Sequence, residues 1–149
     1  MADLSAYDRA VKLLARRTHF RREIEVKLTQ RGYPPEEIGE ALARLESRRY
    51  LDDAEAARQY VSGKLARGGW GRARLLAELD ARGVERGVAA VVLDELLPED
   101  DLEAAREEAR RHAGKAPAAL ARRLERRGFS ASSIAAVLRE RGRGSVDHS

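Results

Sequence analysis

Apolar positions recur along this chain in three copies of one pattern, each built around an Arg-Gly-apolar triplet: Arg31-Gly32-Tyr33, Arg82-Gly83-Val84 and Arg127-Gly128-Phe129. Ile24, Leu75 and Leu120 stand eight residues before the glycines, and Leu28, Leu79 and Leu124 four before them. That i, i+4 spacing is one face of an α-helix. The triplet reads as its stop, because glycine takes the left-handed conformation without a Cβ penalty and the apolar residue after it can fold back onto the leucine. The contacts expected are Leu28 with Tyr33, Leu79 with Val84 and Leu124 with Phe129. Ile38, Ala89 and Ile134, then Leu42, Leu93 and Leu138, follow the glycines at matching distances. A second helix therefore buries an equivalent face in every copy.

A further helix precedes each pair, marked by Tyr7, Ala10, Val11 and Leu14, by Ala54, Ala57, Tyr60, Val61 and Leu65, and more weakly by Leu102, Ala105, Ala109 and Ala113. Ser5 is placed to cap the first of these, and Asp52 with Glu55 resembles a capping box. Pro98-Glu99-Asp100-Asp101, Pro34-Pro35-Glu36-Glu37 and Ser130 mark other helix starts, the acids where the helix dipole favours negative charge. The pattern predicts about nine helices and an all-α fold of three tandem three-helix repeats, at residues 5–48, 49–98 and 99–141, with a flexible tail at 142–149. Repetition of this kind builds an elongated scaffold rather than one catalytic pocket. No run sustains period-two alternation, so no sheet is expected.

Composition agrees with small local cores: 36% of residues are charged and only 5% aromatic. Cysteine is absent, which removes disulfides, thiolate nucleophiles and cysteine-based zinc sites. No stretch approaches the roughly 18 apolar residues of a membrane span, and the N-terminus lacks the apolar core of a signal peptide. A cytoplasmic protein without membrane contact is expected.

The net charge of +4 conceals an uneven distribution. Residues 1–50 carry 11 basic and 8 acidic side chains, residues 51–100 carry 7 and 10, and residues 101–149 carry 11 and 7, so basic ends flank an acidic middle. Ten cations between Arg110 and Arg143 face only Glu125 and Glu140. Such a stretch suits phosphates or an acidic protein groove, against the plainer reading of a solvated helix surface. Arg122, Arg123, Arg126 and Arg127 are expected to form an outward band opposite Leu120 and Leu124. Arg16, Arg17, Arg21, Arg22, Arg72 and Arg74 complete the candidate partner-binding set.

Catalytic chemistry is hard to find. His19, His112 and His148 stand apart without metal-ligand spacing and read as surface or tail residues. Gly63-Lys64 lacks the glycines and the hydroxyl of a phosphate loop, and capping accounts for Asp52-Asp53 and Glu99-Asp100-Asp101 better than a bound cation does. Gly68-Gly69-Trp70-Gly71 reads as a flexible joint, with Trp70 either packed in an inter-helix corner or standing out as an anchor. Neither an enzymatic activity nor a cofactor nor a metal is expected.

Taken in order, Arg49-Tyr50-Leu51-Asp52-Asp53-Ala54, Tyr60-Val61, the glycine-rich joint, Arg74-Leu75-Leu76-Ala77-Glu78-Leu79, Arg82-Gly83-Val84 and Arg126-Arg127-Gly128-Phe129-Ser130 resemble the signature of the RecX family, bacterial regulators of the RecA recombinase. The resemblance covers about residues 5–141; Arg72 stands where members often carry proline. It implies an elongated, curved molecule that lies in the groove of the RecA–single-stranded-DNA filament and restrains filament growth, ATPase, strand exchange and coprotease activity; a monomer is expected, the chain carrying no sustained heptad seam. Its partners would be RecA and the filament, with at most weak direct DNA contact. One alternative is a stand-alone nucleic-acid-binding helical protein, although the closing helix of the middle repeat is apolar and acidic where a recognition helix carries donors. Another is a helical-repeat adaptor for acidic proteins.

Overall fold

The structure, a computed structural model, describes residues 3–147, with side-chain environments to Arg143. Nine helices follow one another among these residues: α1 (Ala6–Arg16), α2 (Arg21–Gln30), α3 (Pro35–Ser47), α4 (Asp53–Arg67), α5 (Arg72–Ala81), α6 (Arg86–Leu96), α7 (Leu102–Arg111), α8 (Pro117–Arg126) and α9 (Ala131–Asp147). They group in threes around three separate cores. Nine buried apolar residues fill the first, among them Ile24, Leu28, Leu42 and Leu45. Among the residues whose side chains are described, eleven fill the second and five the third, the smallest of the three cores.

The three stops form as the sequence requires. Gly32, Gly83 and Gly128 have φ of 88°, 85° and 84°. The amides of Tyr33, Val84 and Phe129 donate to the carbonyls of Leu28, Leu79 and Leu124 at 3.2, 3.0 and 3.1 Å, the six-to-one bond of a Schellman motif. Ser5 Oγ accepts from the Asp8 amide, and Asp52 Oδ1 accepts from the amides of Ala54 and Glu55.

The short segment β1 (Pro98–Asp101) leads into α7 with Asp101 at its N-cap, the helix start expected there. Proline cannot continue α6, and Asp100 at φ 57° then turns the chain into α7. One expectation, at the C-terminal end, needs correction: α9 runs on to Asp147, so residues 142–147, assigned to a flexible tail, continue a helix; the last two residues of that tail lie outside the described residues.

Successive repeats meet at two junctions of the same plan. In each, the first amide of the second helix donates to a carboxylate of the next repeat: Arg21 N–H to Asp53 at 2.8 Å, and Arg72 N–H to Asp101 at 2.9 Å. A proline in place of Arg72 would have no such donor. In each, the stop glycine of the later repeat packs on the first turn of the earlier one, Gly83 against Arg22 and Gly128 against Arg74. The outer faces lack the complementary groups. Pro117 occupies the matching position of α8 without an N–H, and α1 begins with Ser5 and Ala6, without an acid.

Candidate partner interface

The second helices and their stops place cations and aromatic rings side by side across both junctions. Arg22, Lys27 and Arg82 line one shallow cleft with the half-exposed Val26. The Arg82 guanidinium lies 4.3 Å from the centre of the Tyr60 ring. Lys64, Arg74 and Arg127 surround the Trp70 ring at 4.7, 5.3 and 4.4 Å, distances at which a cation is attracted to an aromatic face. Trp70 is thus half-buried against the second core and gripped by cations from two repeats.

Glu23 lines that cleft too, and a second acid sits beside the rings. Glu78 accepts from the Tyr60 hydroxyl at 2.8 Å and lies 3.5 Å from Lys64 and 3.3 Å from Arg74. Burial pushes its carboxyl up, but the hydroxyl and the two cations outweigh burial and hold it below the ordinary range. Burial, and then the bond to Glu78, raises the Tyr60 phenol. Glu78 therefore remains charged beside the exposed Arg74, and Arg82 Nη1 donates to the Glu78 carbonyl at 3.2 Å.

The four arginines of α8 part company. Arg122 and Arg126 are exposed and free of ion pairs among the described residues. Arg123 donates to Glu108 at 2.9 Å, and Arg127 lies 4.0 Å from the same carboxylate while donating to the Gly69 carbonyl. Glu108 is 2% exposed, with His112 Nε2 at 3.0 Å. Burial alone would raise its carboxyl; Arg123, Arg127 and His112 together lower it. Half of the expected band is thus an internal clamp.

The same holds for other cations between Arg110 and Arg143. Arg110 pairs with Glu103, Arg111 donates to the Arg67 carbonyl, and Arg141 donates to the carbonyls of Ala113 and Lys115. Counting charge along the chain overstated what this segment offers a partner. Of the remaining candidates, Arg16 and Arg22 are exposed, Arg17 pairs with Glu23, Arg21 with Glu46 and Arg72 with Asp94.

Three other readings change. The glycine-rich joint is clamped, since Gly71 N–H donates to the Arg127 carbonyl at 2.8 Å and Ala73 N–H to the Gly128 carbonyl at 3.1 Å. Asp101 is fully buried and caps helices other than its own, accepting from Arg72 N–H, Ser130 N–H and the hydroxyls of Ser130 and Ser133. His19 is buried rather than superficial: its Nδ1 donates to the Arg17 carbonyl, Lys27 donates to its Nε2, and desolvation lowers its pKa. His148 lies outside the described residues.

Sequence reasoning passed over Tyr60, Lys64 and Arg82 as members of this surface, and Glu108 as the buried acid beneath it. Glu108 carried a signal, because it lies on the stripe of Ala105 and His112 that faces the core. Among the described residues no cluster of His, Asp and Glu is arranged to hold a metal, and no helix is long and apolar enough to cross a membrane.

Fold and surface together define an all-α protein of tandem three-helix repeats with a basic, aromatic-studded ridge running across its junctions. The models of the first and second three-helix domains of RecX match residues 6–45 and 52–93. The chain is 37% identical to the regulatory protein RecX of Halorhodospira halophila over 87% of its length and 84% of that protein. It is 37% identical to that of Pseudomonas fluorescens over 89% of each chain. The crystal structure of RecX from Lactobacillus salivarius superposes with a TM-score of 0.77 at 22% identity, covering 92% of this chain and 94% of that one. The chain belongs to the RecX family.

Proposed function

We propose that this protein binds the RecA–single-stranded-DNA filament and restrains recombinase, ATPase and coprotease activity by favouring one filament state, without catalysis of its own. The observation that carries this reading is the ridge that crosses both junctions: an extended partner meets Arg22, Arg82, Arg74 and Trp70 in succession, on a scaffold whose internal clamp already satisfies Arg123 and Arg127. Differential contact with filament states is sufficient for regulation. The repeats are taken as residues 5–48, 49–98 and 99–141, and the protein as a monomer in the cytoplasm that touches DNA weakly, if at all, without the recombinase.

Binding to free single-stranded DNA, free RecA and preassembled filament tests the reading. Preference for the filament supports it, whereas equal affinity for bare DNA supports the stand-alone DNA-binding alternative. Arg74→Ala with Arg82→Ala should weaken filament binding and reduce its salt dependence, because exposed charge acts mainly through attraction and on-rate. Arg122→Ala with Arg126→Ala should act in the same direction without lowering the melting temperature.

A further inference from the structure

The cleft at the first junction has walls from two repeats. Arg22, Glu23, Val26 and Lys27 come from α2, and Ala81 and Arg82 from the end of α5, around a volume of about 320 Å³. Arg22 and Val26 form one stripe of α2, and Glu23 and Lys27 the next, turned away from the buried Ile24 and Leu28.

Three cations of this lining, Arg22, Lys27 and Arg82, have no carboxylate partner among the described residues. The Arg22 side chain packs on Gly83. Lys27 donates to Nε2 of the buried His19 at 2.9 Å, and Arg82 to the Glu78 carbonyl at 3.2 Å. Neutral acceptors hold these two cations in place without cancelling their charge. Glu23 is the acid of the lining, and both of its oxygens are engaged, one by the Phe20 amide at 2.9 Å and the other by Arg17 at 2.9 Å. Burial alone would raise its carboxyl; the amide and the guanidinium outweigh burial and lower it. With Arg17 offsetting Glu23, the cleft keeps its positive excess.

Val26, within the same lining, is 47% exposed. Phosphate groups would answer the cations and leave this side chain in water. A protein segment supplies carboxylates and an apolar side chain together.

We propose that this cleft receives a segment of the protein partner in which carboxylates flank an apolar side chain, and that the bound segment fastens the first repeat to the second. The inference rests on the partner-binding reading above and names the partner chemistry that this part of the ridge takes. The apolar side chain covers Val26, while the carboxylates meet Arg22 and Lys27 on one wall and Arg82 on the other. Because the walls belong to different repeats, opening the junction takes the site apart. A ligand that binds only the closed arrangement stabilises it by mass action.

The full-length protein is titrated into a fluorescein-labelled peptide of Asp, Glu and Gly around a central Leu, with a Ser-centred peptide and a thymidine oligonucleotide as comparisons. The Leu peptide should bind, weaken with salt, and exceed the Ser peptide by about 10-fold. Val26→Ser and Lys27→Gln should each weaken the Leu peptide and preassembled filament by about 5-fold with helical content retained; the glutamine keeps a donor for His19. With the Leu peptide at about 100 times its Kd, native-state exchange of the Arg21 amide should slow by about 100-fold. Equal binding of the two peptides, wild-type affinity in Val26→Ser, or unchanged Arg21 exchange would overturn the proposal. So would displacement of the Leu peptide by the oligonucleotide with equal affinity in wild type and Val26→Ser, which would assign the cleft to phosphates. Equal filament affinity of wild type and Val26→Ser contradicts the inference and leaves the reading beneath it standing, whereas no filament binding by the wild type contradicts both.

Discussion

The two junctions share a plan but differ in what fastens them. Between the first and second repeats the attachment is concentrated in one side chain: Phe20, at the start of α2, is buried in the core of the second repeat, edge-on to Tyr60 at 6.1 Å. Around it lie side-chain contacts, Thr18 with Gln59 and Asp53 on the Arg21 amide. Between the second and third repeats the attachment is distributed: two backbone bonds, a fully buried Asp101, Arg127 on the Gly69 carbonyl and the close apposition of Gly71 with Gly128. The repeat with the smallest core has the most polar fastening. Small cores contribute little burial, so backbone bonds and satisfied buried charge must hold the array together there. The second and third repeats should therefore move as one body, with the first hinged on Phe20.

Phe20→Ala probes that concentration. Truncating a buried phenylalanine costs about 3–5 kcal/mol, and here the loss should separate the first repeat from the second. Thermal unfolding that becomes two-step, with the first transition assigned to residues of α1–α3, is the expected outcome. A single unchanged transition would mean that the side-chain contacts suffice without the anchor.

Glu108→Ala addresses the clamp inside the third repeat, which holds Arg127 against the second junction. It leaves Arg123, Arg127 and His112 around an uncompensated site and should cost about 3 kcal/mol. The pH dependence has a defined sign. Glu108 has a folded-state pKa below its unfolded one, so its contribution is complete above the ordinary carboxylate range and is lost as pH falls through the depressed value. Glu78 and the desolvated His19 act in the same direction, the latter as pH falls below its ordinary pKa. Acid titration of melting temperature should show a shallower decline in Glu108→Ala than in the wild type.

Glycine substitutions grade the junctions further. At Gly71, φ is −93° and open to any residue, yet a Cβ would collide with the backbone of Gly128 and Phe129, so Gly71→Ala should cost about 2–3 kcal/mol from overpacking alone. Gly83→Ala meets the Arg22 side chain, whose guanidinium can swing away while its Cβ, fixed to α2, must shift, and Gly32→Ala meets nothing nearby. Gly32→Ala should therefore show the positive-φ penalty alone, about 1 kcal/mol. Chemical denaturation of the three variants should rank Gly71, Gly83, Gly32; equal losses would mean that conformation and not contact sets the cost.

The smallest effect is expected at Asp53. Its carboxyl is raised by burial, with Glu46 and Asp52 adding to the rise against the Arg21 amide. A raised folded-state pKa contributes stability below the unfolded value and loses it as pH increases, opposite to Glu108. Asp53→Asn keeps an acceptor for the Arg21 amide and should change stability at neutral pH by less than about 0.5 kcal/mol. A loss on the scale of Gly71→Ala would erase the distinction between the junctions.

Much of the architecture was legible because it is local. Helix faces, the three glycine stops, and the Ser5 and Asp52 caps each depend on residues within a few positions of one another. The junctions were not, because they join residues about 30 or more apart. Nothing near Asp101 says that it caps α5 and α9, and nothing near Arg127 says that its charge turns inward to Glu108 and Trp70. A run of arginines records charge but not destination. The outward band consequently shrank to Arg122 and Arg126, while the ridge gained Lys64 and Arg82, which no local pattern distinguished.

Native-state hydrogen exchange at the junction amides tests the central claim most directly. Gly71 and Ala73 donate to backbone carbonyls across the second junction, and Arg21 donates to a carboxylate across the first. Exchange of Gly71 and Ala73 should require an opening as costly as global unfolding, whereas Arg21 should exchange through a cheaper local opening of the first repeat. Protection at Arg21 equal to or greater than that at Gly71 and Ala73 would contradict the account of a hinged first repeat on a rigid pair.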